Sequence, residues 1–330
     1  MSAVKIPYRR PVRSGNNSTA GEKVAENIRA GITQFFGGRR VVVIVGILLG
    51  LAAVTIGVLW YVNIYSSPTR IFWDMVGNNL STNSVTTENT QQGPASSNQT
   101  TTQLAFSPNP IVRNIQEVNT TSLRSNTKVK IESIGTPNDT FQHYIWINQQ
   151  PAKGKTKPDY SKVYHLWIKN GGNGLSNNAT LFNDAIFGSF LFGNLPQDQK
   201  TTLMGYLRGS YTVDFNNVVR QKNHGRKTFT YSVALSLKDY ANAAHYYAQK
   251  LGLAEANNIN PANYQASDKV SLSVNIDVLS RQLKQVTYKS SNTSENYSNY
   301  GILASFKPPK NTVSYDLLQK AVTQAANGAK

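Results

Sequence analysis

Hydrophobic and polar residues divide this chain into one long apolar run and a series of short alternating segments. The run from Val41 to Val62 contains no charged residue. As a helix it would be about 33 Å long, which is enough to cross a hydrocarbon core of about 30 Å. Trp60, Tyr61 and Tyr65 lie at its C-terminal end, and amphipathic rings favour the headgroup layer. The pattern predicts a transmembrane helix over residues 41–62.

Basic residues are concentrated before this run. Residues 1–40 contain eight Lys or Arg and two acidic residues. Because positive charge is retained on the cytoplasmic side, we expect residues 1–40 to form a cytoplasmic tail and the C-terminal part to lie outside the cell membrane. A cleaved signal peptide is the alternative, but its apolar region is typically shorter. An uncleaved single-pass anchor is therefore expected.

The end of the tail has the pattern of an amphipathic helix. Thr19 and Glu22 fit a capping box, and Val24, Ile28 and Ile32 recur at helical spacing. We expect this juxtamembrane helix to lie on the inner leaflet, with a cytoplasmic partner as the alternative.

The chain just beyond the apolar run predicts a short exit helix. Ser67 and Pro68 have the pattern of an N-cap followed by Pro at the first helical position, and Phe72 and Met75 follow at helical spacing. Residues 81–104, rich in Asn, Thr, Ser and Gln, are either a polar linker or amphiphilic strands. We assign 63–110 to the exit helix and linker, and 111–330 to an extracytoplasmic α+β domain.

Period-two alternation in the outer part predicts an antiparallel sheet. In residues 228–237, for example, large apolar side chains alternate with small or polar ones, as in strands with one buried face. The predicted strands are 128–134, 141–148, 160–169, 211–219, 228–237, 269–278, 283–289 and 296–306. Helices are predicted around Leu203 and over 238–251 and 315–326. The expected fold is a curved antiparallel sheet covered by helices.

The most apolar outer stretch runs from Leu181 to Leu195 and holds four Phe residues, with Gly188 and Gly193 interrupting its helical pattern. We predict that it covers the concave face of the sheet and lines a site for an apolar ligand. Ordinary core packing is the alternative. The candidate lining residues are Phe182, Ile186, Phe187, Phe190, Leu203 and Leu207.

Composition argues against several kinds of chemistry. The chain has no Cys, which excludes disulfides, thiolate metal sites and a lipidation cysteine. The histidines, at 143, 165, 224 and 245, show no metal-ligand spacing, and neither a GxSxG motif nor a phosphate-loop motif is present. Ser125 and Lys128 fit an SxxK pattern, but we interpret this as a chance match because no SDN or KTG motif accompanies it. We therefore predict no catalytic residue, no metal, no cofactor and no enzymatic activity.

Net charge and a GxxxG motif indicate which partners the chain could have. Residues 66–330 contain 26 Lys or Arg and 15 Asp or Glu, a net charge of +11, which favours an anionic neighbour such as lipid headgroups or an envelope polymer. A solvated basic surface is the alternative, and nucleic acid is not expected. Gly46 and Gly50 form a GxxxG pattern that permits close helix packing, so a homo-oligomer is an open alternative.

Two later segments resemble a known family. Tyr231–Leu235, which leads into a Tyr-rich helix, and Val274–Leu283 are similar to the later strands of LolA/LppX-type lipoprotein carriers. The resemblance covers about residues 110–310. It implies a curved half-barrel whose concave face, covered by helices, holds acyl chains. Because a predicted membrane helix stands where those carriers have a lipid, we expect a tethered module that binds lipid or another apolar ligand.

The layout also resembles VirB8-type conjugation subunits, which have a short cytoplasmic tail, one membrane helix and an outer α+β domain. That resemblance implies a non-catalytic scaffold subunit of a secretion or conjugation-type envelope assembly. A roomy apolar cavity would favour lipid binding, whereas a filled core with an exposed apolar patch would favour assembly.

Overall fold

The computed structural model describes residues 38–121, 126–151, 156–169, 180–223, 225–291, 293–302 and 306–327, with side chains described for all of these except 38–44, 62–64, 180 and 223. The amphipathic helix predicted in the tail and His224 lie outside the described residues. The chain forms two compact units, Met1–Tyr65 and Ser66–Lys330.

The described part of the first unit is helical. Helix α1 spans Gly38–Leu59 and continues into a π-helical turn, Trp60–Tyr65, in which the rings of Trp60 and Tyr65 stack at 5.5 Å. Counting only what the structure describes, no helix is long and apolar enough to cross a membrane. The transmembrane helix over Val41–Val62 stays a prediction.

The second unit is α+β and is built on one large curved antiparallel sheet. Its helices are α2 (Pro68–Asn79), α3 (Thr180–Ile186), α4 (Gln197–Ser210), α5 (Leu237–Lys250) and α6 (Tyr315–Asn327). Its strands are β1 (Ser84–Gln92), β2 (Ser96–Ala105), β3 (Ile111–Thr121), β4 (Asn126–Gly135), β5 (Thr140–Gln149), β6 (Ile168–Lys169), β7 (Tyr211–Val213), β8 (Val219–Asn223), β9 (Arg226–Ser236), β10 (Lys269–Asp277), β11 (Leu283–Tyr288) and β12 (Thr293–Ser298).

The strand order is β6-β5-β4-β3-β2-β1-β12-β11-β10-β9-β7, with β8 paired to β9. Hairpins build most of this order, and the β1–β12 pairing joins the early strands to the late ones. The predicted antiparallel sheet with helices is thus confirmed. Residues 81–104, for which two alternatives were open, form strands: β1 and β2 pair along their whole length.

Three predicted strands need correction, and one strand was missed. The segment 211–219 contains only β7 and the first residue of β8, and the strand predicted over 296–306 ends at Ser298, because Asn299 and Gly301 have positive φ angles. Within 160–169 only β6 is a strand, because Tyr160 and Val163 turn inward and are buried in a small cluster. Strand β3 was not predicted. Polar residues such as Asn114 and Gln116 interrupt its apolar positions, and its backbone is held by β2 and β4 on both sides.

Pairing register defines one face of the sheet, which we call the inner face. Residues directly opposite each other on neighbouring strands share a face. One row of paired residues crosses nine strands from β9 to β5: Tyr231, Val274, Val286, Glu295, Asn89, Thr100, Gln116, Ile131 and Tyr144. The inner face is therefore apolar at both ends and polar in the middle.

The two apolar ends have separate cores. The main core joins the inner face of β9–β11 to the four helices α2 to α5, with Phe72, Phe182, Leu203 and Tyr247 fully buried. A smaller cluster at the other end holds Tyr160, Val163, Ile168 and Leu318, so that α6 packs near β5 and β6.

Candidate functional site

The apolar stretch after α3 is an irregular, buried segment. Residues 187–195, here called the cover segment, contain no long helix. Buried main-chain groups need hydrogen-bond partners, and tyrosine hydroxyls supply them. Tyr211 Oη donates to the Ser189 carbonyl at 2.8 Å, Tyr240 Oη donates to the Gly188 carbonyl, and Tyr247 Oη donates to the Phe192 carbonyl.

Main-chain bonds hold the other end of the cover segment. Gly193 N donates to the Asn79 carbonyl at 2.9 Å, and Leu195 N donates to the Leu80 carbonyl at 3.0 Å. Burial raises the pKa of the Tyr240 hydroxyl well above its usual value. The cover segment is thus fixed by α2, by α5 and by β7.

The six predicted lining residues are mostly packed in the core. Five of them are no more than 2% exposed: Phe182, Ile186, Phe190, Leu203 and Leu207. Phe187 is half-buried against the same core, and the Phe190 ring stacks on Tyr211 with centroids 5.1 Å apart. The structure brings these residues together, and their ligand-lining role stays a prediction.

A cavity of about 200 Å³ lies between the cover segment, α3 and the polar middle of the inner face. We call it the sheet cleft. Its lining residues are Thr87, Asn89, Gln91, Asn98, Thr100, Thr102, Leu104, Asp184, Ala185, Gly188, Phe190, Phe192, Glu295 and Tyr297. Most of these side chains are polar, and Phe190 belongs to the six predicted residues.

Hydrogen bonds position the Glu295 carboxylate in this cleft. Tyr297 Oη donates to Glu295 Oε2 at 2.6 Å, and Tyr288 Oη donates to Glu295 Oε1 at 3.3 Å. Ser189 Oγ in turn donates to Tyr288 Oη at 2.7 Å, which connects the cover segment to the carboxylate. At the rim, partial burial raises the pKa of the Asp184 carboxyl, and the charge of Glu255 raises it further.

A second cavity, of about 700 Å³, lies where loops at one end of β2 to β5 meet the C-terminal segment. We call it the proline groove. Its lining residues are Ala105, Ser107, Pro108, Asn109, Pro110, Ile111, Thr136, Pro137, Asn138, Phe306, Lys307 and Pro308. Its wall is therefore mainly apolar, with small polar side chains and one cation.

An ionic network lies on the opposite face of the sheet. Arg113 Nε lies 2.5 Å from Glu132 Oε1, and His143 Nε2 lies 2.8 Å from Glu132 Oε2. His143 Nδ1 faces the Tyr164 carbonyl at 3.0 Å. The His143 hydrogen bond, and with it Arg113, lowers the pKa of Glu132 although burial opposes this.

The sequence reasoning missed both cavities. A usable signal for the sheet cleft is the period-two series of Thr, Asn and Gln at 87, 89, 91 and again at 98, 100, 102. The series contains no apolar residue, so a search for hydrophobic periodicity does not detect it. Within the described residues, no group of three His, Asp or Glu side chains could hold a metal ion.

Comparison with known proteins gives little information about the function of this chain. No family model matches the chain, and no curated protein matches it. Among solved structures, LprF from Mycobacterium bovis is similar over 73% of this chain and 96% of LprF, with 11% identity and a TM-score of 0.35. This likeness is coarse, so function has to be argued from the cavities themselves.

Proposed function

We propose that this chain is a membrane-anchored, non-catalytic binding module of the cell envelope that holds an apolar ligand, such as a lipid acyl chain, in the proline groove. Its anchor is the uncharged run 41–62, with the basic tail in the cytoplasm and the second unit outside. We assign the ligand to the groove, because five of the six residues first predicted to line the site are buried in the main core.

The size and lining of the groove carry this proposal. Its volume of about 700 Å³ is in the range usual for small-molecule sites. Seven of the twelve described lining residues are apolar, and four of these are proline: Pro108, Pro110, Pro137 and Pro308. Because proline has no backbone N–H, an acyl chain against this wall leaves few donors buried without a partner.

The polar rim of the groove suits a lipid rather than a hydrocarbon alone. Lys307 is exposed and lines the groove together with Phe306 and Pro308, and its positive charge suits an anionic headgroup. We therefore assign the groove to a lipid with an acyl chain and a negatively charged head.

Photo-crosslinking tests the groove. The full chain in nanodiscs of neutral phospholipid is irradiated with a diazirine fatty acid, and the labelled peptides are mapped by mass spectrometry. We expect label on residues 105–111 and 136–138. Ile111→Asp should reduce that label several-fold, since a buried charge in an apolar wall is costly to desolvate.

Leu279→Asp is the matched control, because Leu279 is 78% exposed and does not line the groove. It should leave the labelling unchanged. Label confined to the apolar run 41–62 would contradict the groove assignment.

Protease protection tests the anchor and its orientation. Protease added to intact cells should remove the second unit and leave a fragment of about 7 kDa, from roughly 65 protected residues. Complete protection of the C-terminal part would reverse the orientation, and a mature N-terminus near Ser67 would show that the anchor is cleaved.

A scaffold subunit of an envelope assembly is the second candidate, and the filled core beneath the cover segment favours it. A scaffold predicts an unlabelled groove in the experiment above. It also predicts that the chain elutes in a larger complex when native membranes are solubilised in mild detergent.

A further inference from the structure

The sheet cleft forms a second site that is separate from the proline groove. Among the described lining residues, none belongs to both cavities. Its floor is the polar middle of the inner face, and its roof is α3 with the cover segment. Tyrosine hydroxyls hold the cover segment in place by hydrogen bonds, and strand pairing holds the floor. The cleft therefore lies between two walls that the fold fixes.

The floor is a regular grid of groups that both donate and accept hydrogen bonds. In one row Asn89 lies between Glu295 and Thr100, and in the next Thr87 lies between Tyr297 and Thr102. Hydroxyl and amide side chains offer a donor and an acceptor from the same residue. A ligand with several hydroxyl or amide groups matches such a grid, since these groups have the same double capacity.

One acceptor on the floor lacks a partner. Asn89 Oδ1 is buried, and no group in the described part of the chain donates to it. A buried acceptor without a donor costs free energy, and a turn of the Asn89 amide toward a donor in the cleft would remove that cost. Across the strand pair, the Glu295 carboxylate is already fixed by Tyr288 and Tyr297.

Charge and aromatic rings narrow the ligand class. The described lining contains Asp184 and Glu295 but no Lys, Arg or His, which disfavours an anion. Phe192 stacks on Tyr297 with centroids 5.5 Å apart and presents an apolar wall beside the polar floor. One face of a sugar ring carries C–H groups that can pack on such a wall, while its hydroxyls reach the grid.

We infer that the sheet cleft binds one residue of a neutral glycan bearing hydroxyl and amide groups. The Asn89 amide, which lines the cleft, makes one contact with a ligand hydroxyl or N–H. The Thr100 hydroxyl, 3.5 Å from Asn98 Oδ1, makes a second contact. This site is independent of the acyl site proposed above, so either one can fail without the other.

Calorimetric titration of the full chain in nanodiscs tests the inference, with a neutral β-1,4-linked N-acetylglucosamine trimer as the probe. Thr100→Val removes one hydroxyl at constant shape and should weaken binding about 2- to 10-fold. Asn89→Leu should weaken it at least as much. A uronic-acid trimer of equal length should bind more weakly than the neutral probe.

Thr101→Val is the matched control, because Thr101 neighbours Thr100 but pairs with Glu88 on the other face of the sheet. It should leave the affinity unchanged. Thermal midpoints measured by circular dichroism should be unchanged in all three variants, which would show that the fold is retained.

Two results would overturn the inference: no heat of binding for the neutral trimer with the parent chain, or equal weakening by Thr100→Val and Thr101→Val. Acyl labelling of the proline groove, measured in parallel, should be unaffected by Thr100→Val. Loss of sugar binding with retained acyl labelling therefore bears on the cleft alone.

Discussion

The inner face of the sheet has an apolar end and a polar middle, and the two differ in side chains rather than in backbone. Over β9 and β10 the row of paired residues carries Tyr231 and Val274, both fully buried. Over β1 and β2 the same row carries Asn89 and Thr100, both half-buried. The ladder of hydrogen bonds continues through both, since it is made by main-chain groups.

The apolar end and the polar middle contribute differently to the free energy of folding. Burial of large apolar side chains contributes most of the free energy of folding, so the apolar end stabilises the sheet. The polar middle gains little from burial, yet its backbone is held in place by paired strands on both sides. A surface of Asn, Thr and Gln can therefore be held in place by strand pairing without being tightly packed, and this leaves room for the sheet cleft above it.

The largest expected effect comes from the apolar end. Phe190→Ala should lower the free energy of unfolding by about 3–5 kcal/mol, because it removes a buried ring stacked on Tyr211. Thermal unfolding of the full chain in mild detergent measures this. Tyr206→Ala, at an aromatic residue that is 45% exposed, is the control and should cost far less.

A loss for Phe190→Ala as small as for the control would break the comparison. It would mean that the ring faces a cavity with few protein contacts, and the prediction that Phe190 lines an apolar ligand site would gain support.

An intermediate effect is expected for the ionic network of Arg113, Glu132 and His143, which lies on the face of the sheet opposite the inner face. Glu132→Gln should cost about 1.5–3 kcal/mol at neutral pH, since it weakens bonds to Arg113 and His143. The folded pKa of Glu132 is lowered from its ordinary value of 4.5. Its stabilising contribution is therefore complete above that value and is lost as the pH falls through the folded pKa.

Denaturant unfolding at pH 7 and at pH 3 measures this dependence. The variant should lose less stability on acidification than the parent, whereas Glu88→Gln, at an exposed position, should behave like the parent. Parallel losses in the Glu132 variant and the parent would show that the network does not hold the polar part of the sheet.

The smallest expected effect concerns Gly135 in β4, where α3 packs against the sheet. A Cβ at Gly135 would lie 2.7 Å from Val112 Cγ1 and 3.1 Å from the Phe182 nitrogen. Gly135→Ala should therefore destabilise the fold by about 1–2 kcal/mol, as overpacking does. Gly205→Ala in α4, where no atom lies within 4 Å, should instead stabilise it by about 0.5–1 kcal/mol.

Thermal midpoints of the two alanine variants should move in opposite directions. Equal shifts would mean that α3 does not press on the sheet at Gly135, and the roof of the sheet cleft would then be less rigid than its contacts indicate.

The sequence by itself determined the local elements whose periodicity is strong. Alternation in 228–237 and 269–278 predicts β9 and β10, and Ser67 with Pro68 predicts the start of α2, because side-chain period and capping act over a few residues. The apolar run 41–62 predicts an anchor on the same local grounds. The six candidate residues are buried or half-buried in the main core, and their predicted role of lining an apolar ligand site stays a prediction.

Only the tertiary structure decided which polar residues face a cavity. The pairing of β1 with β12 places Asn89 beside Glu295, although more than half of the chain separates them in sequence. Likewise, tyrosines from β7 and α5 satisfy carbonyl groups of the cover segment, so that its Phe residues pack inward. Long-range pairing sets these neighbours, and periodicity within a single strand contains no information about which strand lies next to it.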